Sequence, residues 1–233
     1  MRSLVIVVLA LLTAAPAASQ SRLGVRLGLA RGDVEAETGL RSDAANYGLT
    51  GGVYFEPAFT IFRGLIGFQL GAQYTQKGVR SEVEVENDEL VFELDVDYVE
   101  VPLMIYSPLQ ISGPVVLLAY GGVAPAFVVR CKGSASLRAE SVESDCGDND
   151  PEGLEVEPVK DFDVGLLVGG ALGTQIGSVQ LFGEVMYNWG MIAFVDEDPL
   201  EADSEPDLKH RVLSLTLSAS IPLGAPRGSF FDP

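Results

Sequence analysis

Eight segments of the sequence alternate apolar residues with small or polar ones, and this period of two leaves few folds open. A β-strand turns successive side chains to opposite faces, so each segment has one apolar face and one small or polar face. A helix is disfavoured, because glycine recurs often in these segments and each glycine costs about 1 kcal/mol in a helix. The eight segments are 23–31, 47–59, 65–79, 91–106, 115–130, 162–176, 179–193 and 209–222.

The connections between the segments alternate in length, and the acidic residues lie in the long ones. The long regions, with their strand margins, hold 29 of the 33 Asp and Glu residues. Short turns at one end and long polar loops at the other are typical of an outer-membrane β-barrel with both termini in the periplasm. The long connections are 32–46, 80–90, 131–161 and 194–208, and the short ones are 60–64, 107–114 and 177–178.

We therefore predict an all-β fold, an eight-stranded antiparallel up-and-down transmembrane β-barrel, over residues 20–224. A soluble β-sandwich is the alternative, since it also consists of short alternating strands. The small-residue face and the alternation of loop lengths favour the barrel. The sequence after the first nineteen residues contains no stretch of eighteen apolar residues, so no transmembrane helix is predicted.

The first nineteen residues have the features of a secretory signal peptide. Arg2 is followed by an apolar run from Leu4 to Leu12, and Ala17 and Ser19 occupy the −3 and −1 positions of a cleavage site. We expect the mature chain to begin at Gln20 and to end in a short tail, 225–233. This tail is too short for a peptidoglycan-binding domain.

Two features of the pattern leave the facing of side chains open. The apolar positions in 91–106 are even as far as Tyr98 and odd from Val99. Either a bulge near Asp97 changes the facing, or 80–97 forms a hairpin beyond the membrane. Aromatic residues near both ends of the segments predict two interfacial girdles, although aromatics are also common in strands generally. They are Phe59, Phe62 and Tyr106 near the short turns, and Tyr47, Tyr74, Tyr98, Tyr187 and Trp189 near the long loops.

Three stretches resemble PorT-like outer-membrane β-barrel proteins. They are Gln73-Tyr-Thr-Gln-Lys-Gly78, Asp97-Tyr-Val-Glu-Val-Pro-Leu-Met-Ile-Tyr106 and Tyr120-Gly-Gly-Val-Ala-Pro125, in the family's order and spacing. The resemblance implies an eight-stranded barrel similar to the OmpA and OmpX membrane domains. It implies little about activity. The member that gives the family its name assists a secretion system, but these motifs alone do not carry that role.

Seven polar residues lie on the small-residue faces of the predicted strands and are the candidate interior site. Charges are costly against lipid, so we expect these side chains to point inward and to meet in the narrow lumen. Arg26 is the predicted hub, because its guanidinium can bind two carboxylates and strand counting puts Glu100 and Glu184 at similar depth. The network either stabilises the fold alone or also plugs the barrel. Its members are Arg26, Glu56, Gln69, Gln73, Lys77, Glu100 and Glu184.

Outside the spans, the sequence offers a disulfide and a candidate metal site. Cys131 and Cys146 fall in one predicted extracellular loop, which in a secreted protein predicts a disulfide. The same loop clusters oxygen ligands that suit Ca²⁺, without the spacing of an EF-hand. Solvated surface charge is the favoured interpretation of the cluster, and adaptation to a saline habitat is a third explanation. The candidate ligands are Asp145, Asp148, Asp150 and Glu152, and the weaker second cluster is Asp196, Glu197 and Asp198.

These features predict an integral protein of the bacterial outer membrane with a structural or surface-interaction role. No cofactor is expected apart from the possible Ca²⁺, and the expected partners are outer-membrane lipid and lipopolysaccharide. The net charge of −18 argues against nucleic acid. A narrow channel or a component of envelope assembly or secretion is the alternative function.

A lipid-modifying enzyme is a further alternative, but catalysis is not predicted. The single histidine, His210, and Ser214 share a face but stand about 13 Å apart along a strand. They cannot be direct partners, and we interpret His210 as a surface residue.

Overall fold

The computed structural model describes residues 20–36, 44–62, 64–85, 88–137, 140–147, 159–192 and 208–224. Within these ranges the regular structure is entirely β, and no helix is long and apolar enough to cross a membrane. The strands are β1 (Arg22–Ala36), β2 (Ala44–Glu56), β3 (Gly67–Val85), β4 (Asp88–Glu100), β5 (Leu103–Ser112), β6 (Val115–Leu137), β7 (Glu140–Asp145), β8 (Phe162–Ile176), β9 (Val179–Gly190) and β10 (Leu208–Pro222).

The sheet closes on itself into the predicted eight-stranded antiparallel barrel. β1 pairs with β2 on one side and with β10 on the other, from Arg22↔Pro222 to Ala36↔Leu208. The ten strands fill eight places in the wall, because β4 and β5 are successive halves of one wall strand and β7 pairs only with β6. Closure gives every wall strand of the described barrel a partner on both sides.

A proline separates the two halves of that wall strand. Pro102 has no N–H to donate to a ladder. Its carbonyl nevertheless accepts the Gly71 N–H at 2.9 Å, and the Val101 N–H reaches the Pro125 carbonyl at 2.8 Å. The wall is therefore hydrogen-bonded through the break.

The alternating residues of the sequence face the outside and the inside of the barrel in turn. In β10, Leu215 is 63% exposed on the outer face, whereas its neighbour Thr216 is 2% exposed in the interior. Odd positions of β1 from Leu23 to Leu29 likewise face outward, and Arg22 and Arg26 face inward. The exposures of Leu215 and Thr216 confirm the predicted facing of the last strand. Exposed apolar side chains occur on the outer face of every wall strand.

Of the two alternatives for this segment, the change of facing near Asp97 is wrong, and the hairpin over 80–97 is present, since β3 and β4 stay paired as far as Val85↔Asp88. Val96, Tyr98 and Glu100 are all buried, so even positions point inward on both sides of Asp97. The irregularity lies in β6 instead, where Asp97 pairs with Arg130 but Tyr98 pairs with Val128, leaving Val129 as the extra residue. The apolar pattern shifts because Val96 and Tyr98 belong to a small apolar cluster inside the barrel.

Two of the predicted long loops, 80–90 and 131–161, contain strand within the described residues. β3 and β4 stay paired as far as Val85↔Asp88, and β6 continues to Leu137 before β7 turns back along it. Alternation could not mark these extensions, because neither face of a strand outside the bilayer must be apolar. The short turns are tight, and Gly113 and Gly177 adopt φ values of 51° and 61° that favour glycine.

The predicted girdles hold for most of the aromatic residues but not for two tyrosines. Tyr47 is 71% exposed and Phe62 is 62% exposed, at opposite ends of the barrel. Tyr98 and Tyr106 are buried inside instead, at 0% and 7% exposure. Their distance from the strand ends fitted a girdle, but their register turns them to the lumen.

Candidate functional site in the barrel interior

The structure places all seven polar residues of the candidate site in the interior. Each is at most 8% exposed, because each occupies an inward position of its strand. They divide into two layers along the barrel axis. We call them the lower layer, nearer the short turns (Arg26, Glu56, Gln69, Glu184), and the upper layer, nearer the long connections (Gln73, Lys77, Glu100).

The lower layer is built round Arg26. Its guanidinium donates to the Gln69 side-chain oxygen and lies 3.7 Å from a carboxylate oxygen of Glu184. The Gln69 amide then donates to Glu56 at 3.0 Å, so Arg26 and Gln69 together link Glu184 to Glu56. Thr216 and Ser218 of β10 donate hydroxyl hydrogen bonds to the Glu184 carboxylate. Arg26 also covers the ring of Tyr54, with 4.8 Å between guanidinium carbon and ring centre.

A glycine makes room for that ring. A Cβ at Gly24 would lie 2.2 Å from the Tyr54 ring, closer than any real contact. The small-residue face that the sequence shows on β1 is therefore space for a large side chain from the neighbouring strand. This matches the expectation that a narrow barrel is filled by side chains.

The upper layer is built round Glu100. Its carboxylate accepts hydrogen bonds from Gln73 at 2.7 Å and Thr75 at 3.0 Å, and it meets the Lys77 ammonium at 2.8 Å. The Asn188 amide donates to it from β9 at 3.2 Å. Lys77 also lies over the Tyr98 ring, with 4.2 Å from Nζ to the ring centre. Every one of these contacts to Glu100 is a donor contact, which is what a buried carboxylate requires.

The arrangement differs from the single hub expected from the sequence. Arg26 contacts Glu184, whereas Glu100 is held by Lys77 in a separate layer. The position of a residue in its strand gives its depth in the barrel, but not which side chain it contacts across the lumen. Lys77 reaches Glu100 because β3 and β4 are adjacent, with Gln73 opposite Glu100 in their ladder.

Sequence reasoning missed that half of the interior is apolar. A contiguous cluster fills the side formed by β5, β6 and β8, with contributions from β9. The period-two pattern could have revealed it, since these residues occupy the inward positions of their strands, where on β9 they alternate with the polar Gln180, Glu184 and Asn188. The cluster consists of Met104, Tyr106, Val116, Leu118, Tyr120, Ala124, Leu167, Ala171, Phe182 and Met186.

The interpretation of His210 as a surface residue is wrong. The side chain is 1% exposed, and its Nε2 lies 3.2 Å from the Tyr98 hydroxyl. Position 210 is inward in β10, two residues before the buried Val212. Ser214 shares that face, four residues along the strand. The location near the end of the last strand suggested exposure, but the strand begins at Leu208 and the wall already encloses the ring.

Near the long-connection end of β6, the predicted disulfide is confirmed. Cys131 and Cys146 are bonded, with 5.5 Å between their Cα atoms. The bond joins β6 to the turn after β7, so the β6–β7 hairpin is closed covalently as well as by its ladder. Asp145 is exposed at the end of β7, while Asp148, Asp150, Glu152 and the 196–198 cluster lie outside the described residues. Among the residues that are described, no group of three His, Cys, Asp or Glu could hold a metal ion.

Three of the wall strands run far past the aromatic residues at the long-connection end. β3 continues from Tyr74 to Val85, about 36 Å at roughly 3.3 Å per residue. β4 and β6 accompany it, and β7 adds a fourth strand to this part of the sheet. We call this region the protruding sheet. Its covalent and ladder closure makes it an ordered surface rather than a set of loops.

Comparison with known proteins places the chain among membrane barrels. A family model described as an outer membrane protein β-barrel domain matches residues 15–196. Among solved structures, a major outer membrane protein from Thermus thermophilus is similar at 14% identity and TM-score 0.46, with 87% of this chain and 99% of that chain covered. The attachment invasion locus protein Ail of Yersinia pestis, in complex with the heparin analogue sucrose octasulfate, is similar at 15% identity and TM-score 0.43. The match covers 87% of this chain and 99% of Ail.

The protease OmpT of Escherichia coli gives 11% identity and TM-score 0.45, over 88% and 97% of the two chains. No curated protein sequence matches this chain.

Proposed function

The chain belongs to the family of outer membrane β-barrel proteins, and we propose that it is a closed, non-catalytic barrel that holds an acidic protruding sheet outside the cell. Its location is the bacterial outer membrane. With short turns on the periplasmic side, the protruding sheet is extracellular. The observation that carries the proposal is the filling of the lumen by side chains. A barrel that conducts nothing can interact with other molecules only at its outer surfaces.

The side chains that fill the lumen argue against an open path through the described part of the barrel. The two polar layers occupy one side and the apolar cluster occupies the other. At the periplasmic mouth, Glu56, Tyr106 and Phe182 line a cavity of only about 20 Å³. Eight strands leave an interior just wide enough for side chains. These observations support a closed barrel over the alternative of a narrow channel.

The protruding sheet supplies the surface. Three of the exposed side chains on β7 and the nearby β4 are acidic, namely Asp95, Glu143 and Asp145. The Cys131–Cys146 disulfide fixes β7 to β6. An ordered, negatively charged surface favours cationic partners and repels other acidic proteins. The resemblance to PorT-like barrels, and with it a role in envelope assembly, stays a narrower proposal that rests on the three motifs.

Catalysis is not part of the proposal. His210 is enclosed by the wall and held by Tyr98, so it does not stand in a cleft that a substrate could enter. A hydrolytic site would require a nucleophile and base within hydrogen-bonding reach of a substrate.

Single-channel recording tests the closed barrel. The protein is refolded into a planar bilayer, with heat-modifiable gel mobility of the same sample as proof of folding. We expect no steady conductance steps. Regular unitary steps would contradict the proposal and favour the channel.

A further inference from the structure

The outer wall carries an apolar slot where β2 leaves its neighbour. The β2–β3 ladder ends at Phe55↔Leu70, while β3 continues toward the periplasm, paired with β5 from Leu70↔Leu103 to Gly67↔Tyr106. Pro57 follows β2 directly and has no N–H to offer β3. The next N–H, of Ala58, donates to the Ser21 hydroxyl at 3.1 Å and draws the chain toward β1. A gap therefore opens beside the first residues of β3.

The gap forms an apolar slot in the outer wall that is open along its outer side. It has a volume of about 350 Å³. Phe59 folds back and packs on Phe68, with ring centres 4.8 Å apart, which forms one rim. Leu103 and Ile105 line the opposite side, across β3 on β5, and the lining includes the inward residues Gln69 and Met104.

The chemistry of the slot is almost purely hydrocarbon. Its rim residues are Phe, Leu and Ile, and the single polar side chain in the lining is the Gln69 amide. Both ends of that amide are already engaged, since its oxygen accepts from Arg26 and its nitrogen donates to Glu56. A ligand that needs hydrogen bonds from side chains finds none here, so the slot suits an unbranched apolar chain.

The surroundings identify the occupant. Leu70, Leu103 and Ile105 are about half exposed and continue the outer apolar surface that faces lipid in the outer membrane. The slot lies in the periplasmic half of the barrel, where that surface meets the inner leaflet. We propose that the slot is a binding site for one acyl chain of a phospholipid from the periplasmic leaflet, held more tightly than the lipids round the rest of the barrel.

Native mass spectrometry of the barrel, extracted from outer membranes in mild detergent, counts the phospholipids that stay bound. Ile105→Trp fills the slot with an indole, and Leu172→Trp places the same ring on open wall at β8, where Leu172 is 54% exposed. We expect one retained phospholipid in the wild type and in L172W. In I105W we expect at least about a tenfold loss, since displacing a few buried methylenes has that effect.

Retention of no phospholipid by the wild type, or equal retention by I105W, would overturn the proposal. So would a wild-type dimer that I105W abolishes, because the slot would then be covered by a second copy. Heat-modifiable mobility of all three proteins shows that the barrels are folded.

Fluorescence in vesicles gives a second, independent readout. Trp189→Phe removes the native tryptophan, and Phe68→Trp then reports from the slot. Leu217→Trp reports from the open wall, where Leu217 is 74% exposed. In phosphatidylethanolamine vesicles with increasing brominated phosphatidylethanolamine, quenching of the slot tryptophan should rise in proportion to the brominated fraction, as a site for one chain requires. The open-wall tryptophan, which several chains reach, should be half-maximally quenched at a lower brominated fraction. Identical quenching curves for the two positions would show that the slot binds no chain selectively.

Discussion

The two sides of the barrel interior fill the narrow lumen with different kinds of side chain, polar and paired on one side and apolar and packed on the other. β1, β2, β3 and β10 turn charged, amide and hydroxyl groups inward, each directed to a particular partner. β5, β6 and β8 turn aliphatic and aromatic side chains inward, which pack without specific pairing. β9 contributes to both, with Glu184 between Phe182 and Met186.

The difference predicts how each side fails. A buried charge that loses its partner stays buried, and the cost of stranding it is several kcal/mol. An apolar side chain that is shortened leaves a cavity, and its neighbours relax to different extents. A second substitution can therefore repair the polar side by removing the stranded charge, whereas the apolar side can be repaired only by refilling the cavity.

The largest effect is expected from Lys77→Met, because Glu100 is 1% exposed and loses its only ion-pair partner among the described residues. We expect a loss of about 3–5 kcal/mol in unfolding free energy, measured by urea titration of the barrel in vesicles. The double variant Lys77→Met/Glu100→Gln should recover most of it. If the double variant is no more stable than the single one, the upper layer is not held by this pair.

Leu118→Ala tests the apolar side, where the residue is 5% exposed within the cluster. The loss should be about 2–4 kcal/mol from transfer and cavity formation. Unlike the Lys77 variant, it should be recovered only by a larger apolar neighbour. A loss well under 1 kcal/mol would mean that this side is loosely packed, in conflict with the cluster described.

Arg26→Met should cost less than Lys77→Met, about 2–3 kcal/mol, because the Arg26–Glu184 contact is longer, at 3.7 Å, than the Lys77–Glu100 contact at 2.8 Å. Lys132→Met is the control, since Lys132 and Glu143 form a solvent-exposed pair at 3.9 Å. That change should cost less than about 1 kcal/mol. Equal losses from the two variants would remove the distinction between interior and surface pairs.

The smallest effect on the barrel is expected from Cys146→Ser. The disulfide closes a loop with a sequence separation of 15, outside the membrane, so its constraint acts on the β6–β7 hairpin. Protease sensitivity between 132 and 160 should rise while heat-modifiable mobility is unchanged. Free thiols at both positions in protein isolated from the envelope would contradict the disulfide.

The sequence predicted the facing of side chains within the membrane-spanning parts of the strands. A span between lipid and a narrow lumen must alternate, so the alternation alone assigns Leu215 and Thr216 to opposite faces. Outside the bilayer that requirement ends. The extension of β3 to Val85 and the existence of β7 therefore had no signature in the alternation.

The interior was predicted in membership but not in pairing. Burial of Arg26, Lys77 and Glu100 follows from the cost of charge against lipid. Which carboxylate each cation reaches depends on strand stagger and on reach across the lumen, and neither can be counted along one strand. His210 was misplaced for a related reason, since the start of its strand at Leu208 is set by pairing with β1 rather than by an apolar pattern.

Spin labels along β10 test the central claim, a closed barrel with lipid outside and packed side chains inside. Single cysteines replace each residue from Leu213 to Ser218 in a variant without the native pair, Cys131→Ser/Cys146→Ser, and carry a nitroxide in lipid vesicles. Collision with dissolved oxygen, which concentrates in lipid, is measured at each position. We expect high accessibility at 213, 215 and 217 and low accessibility at 214, 216 and 218, as the exposures of Leu215 and Thr216 require. A profile without this period of two, or one with the even positions more accessible, would contradict the closed barrel.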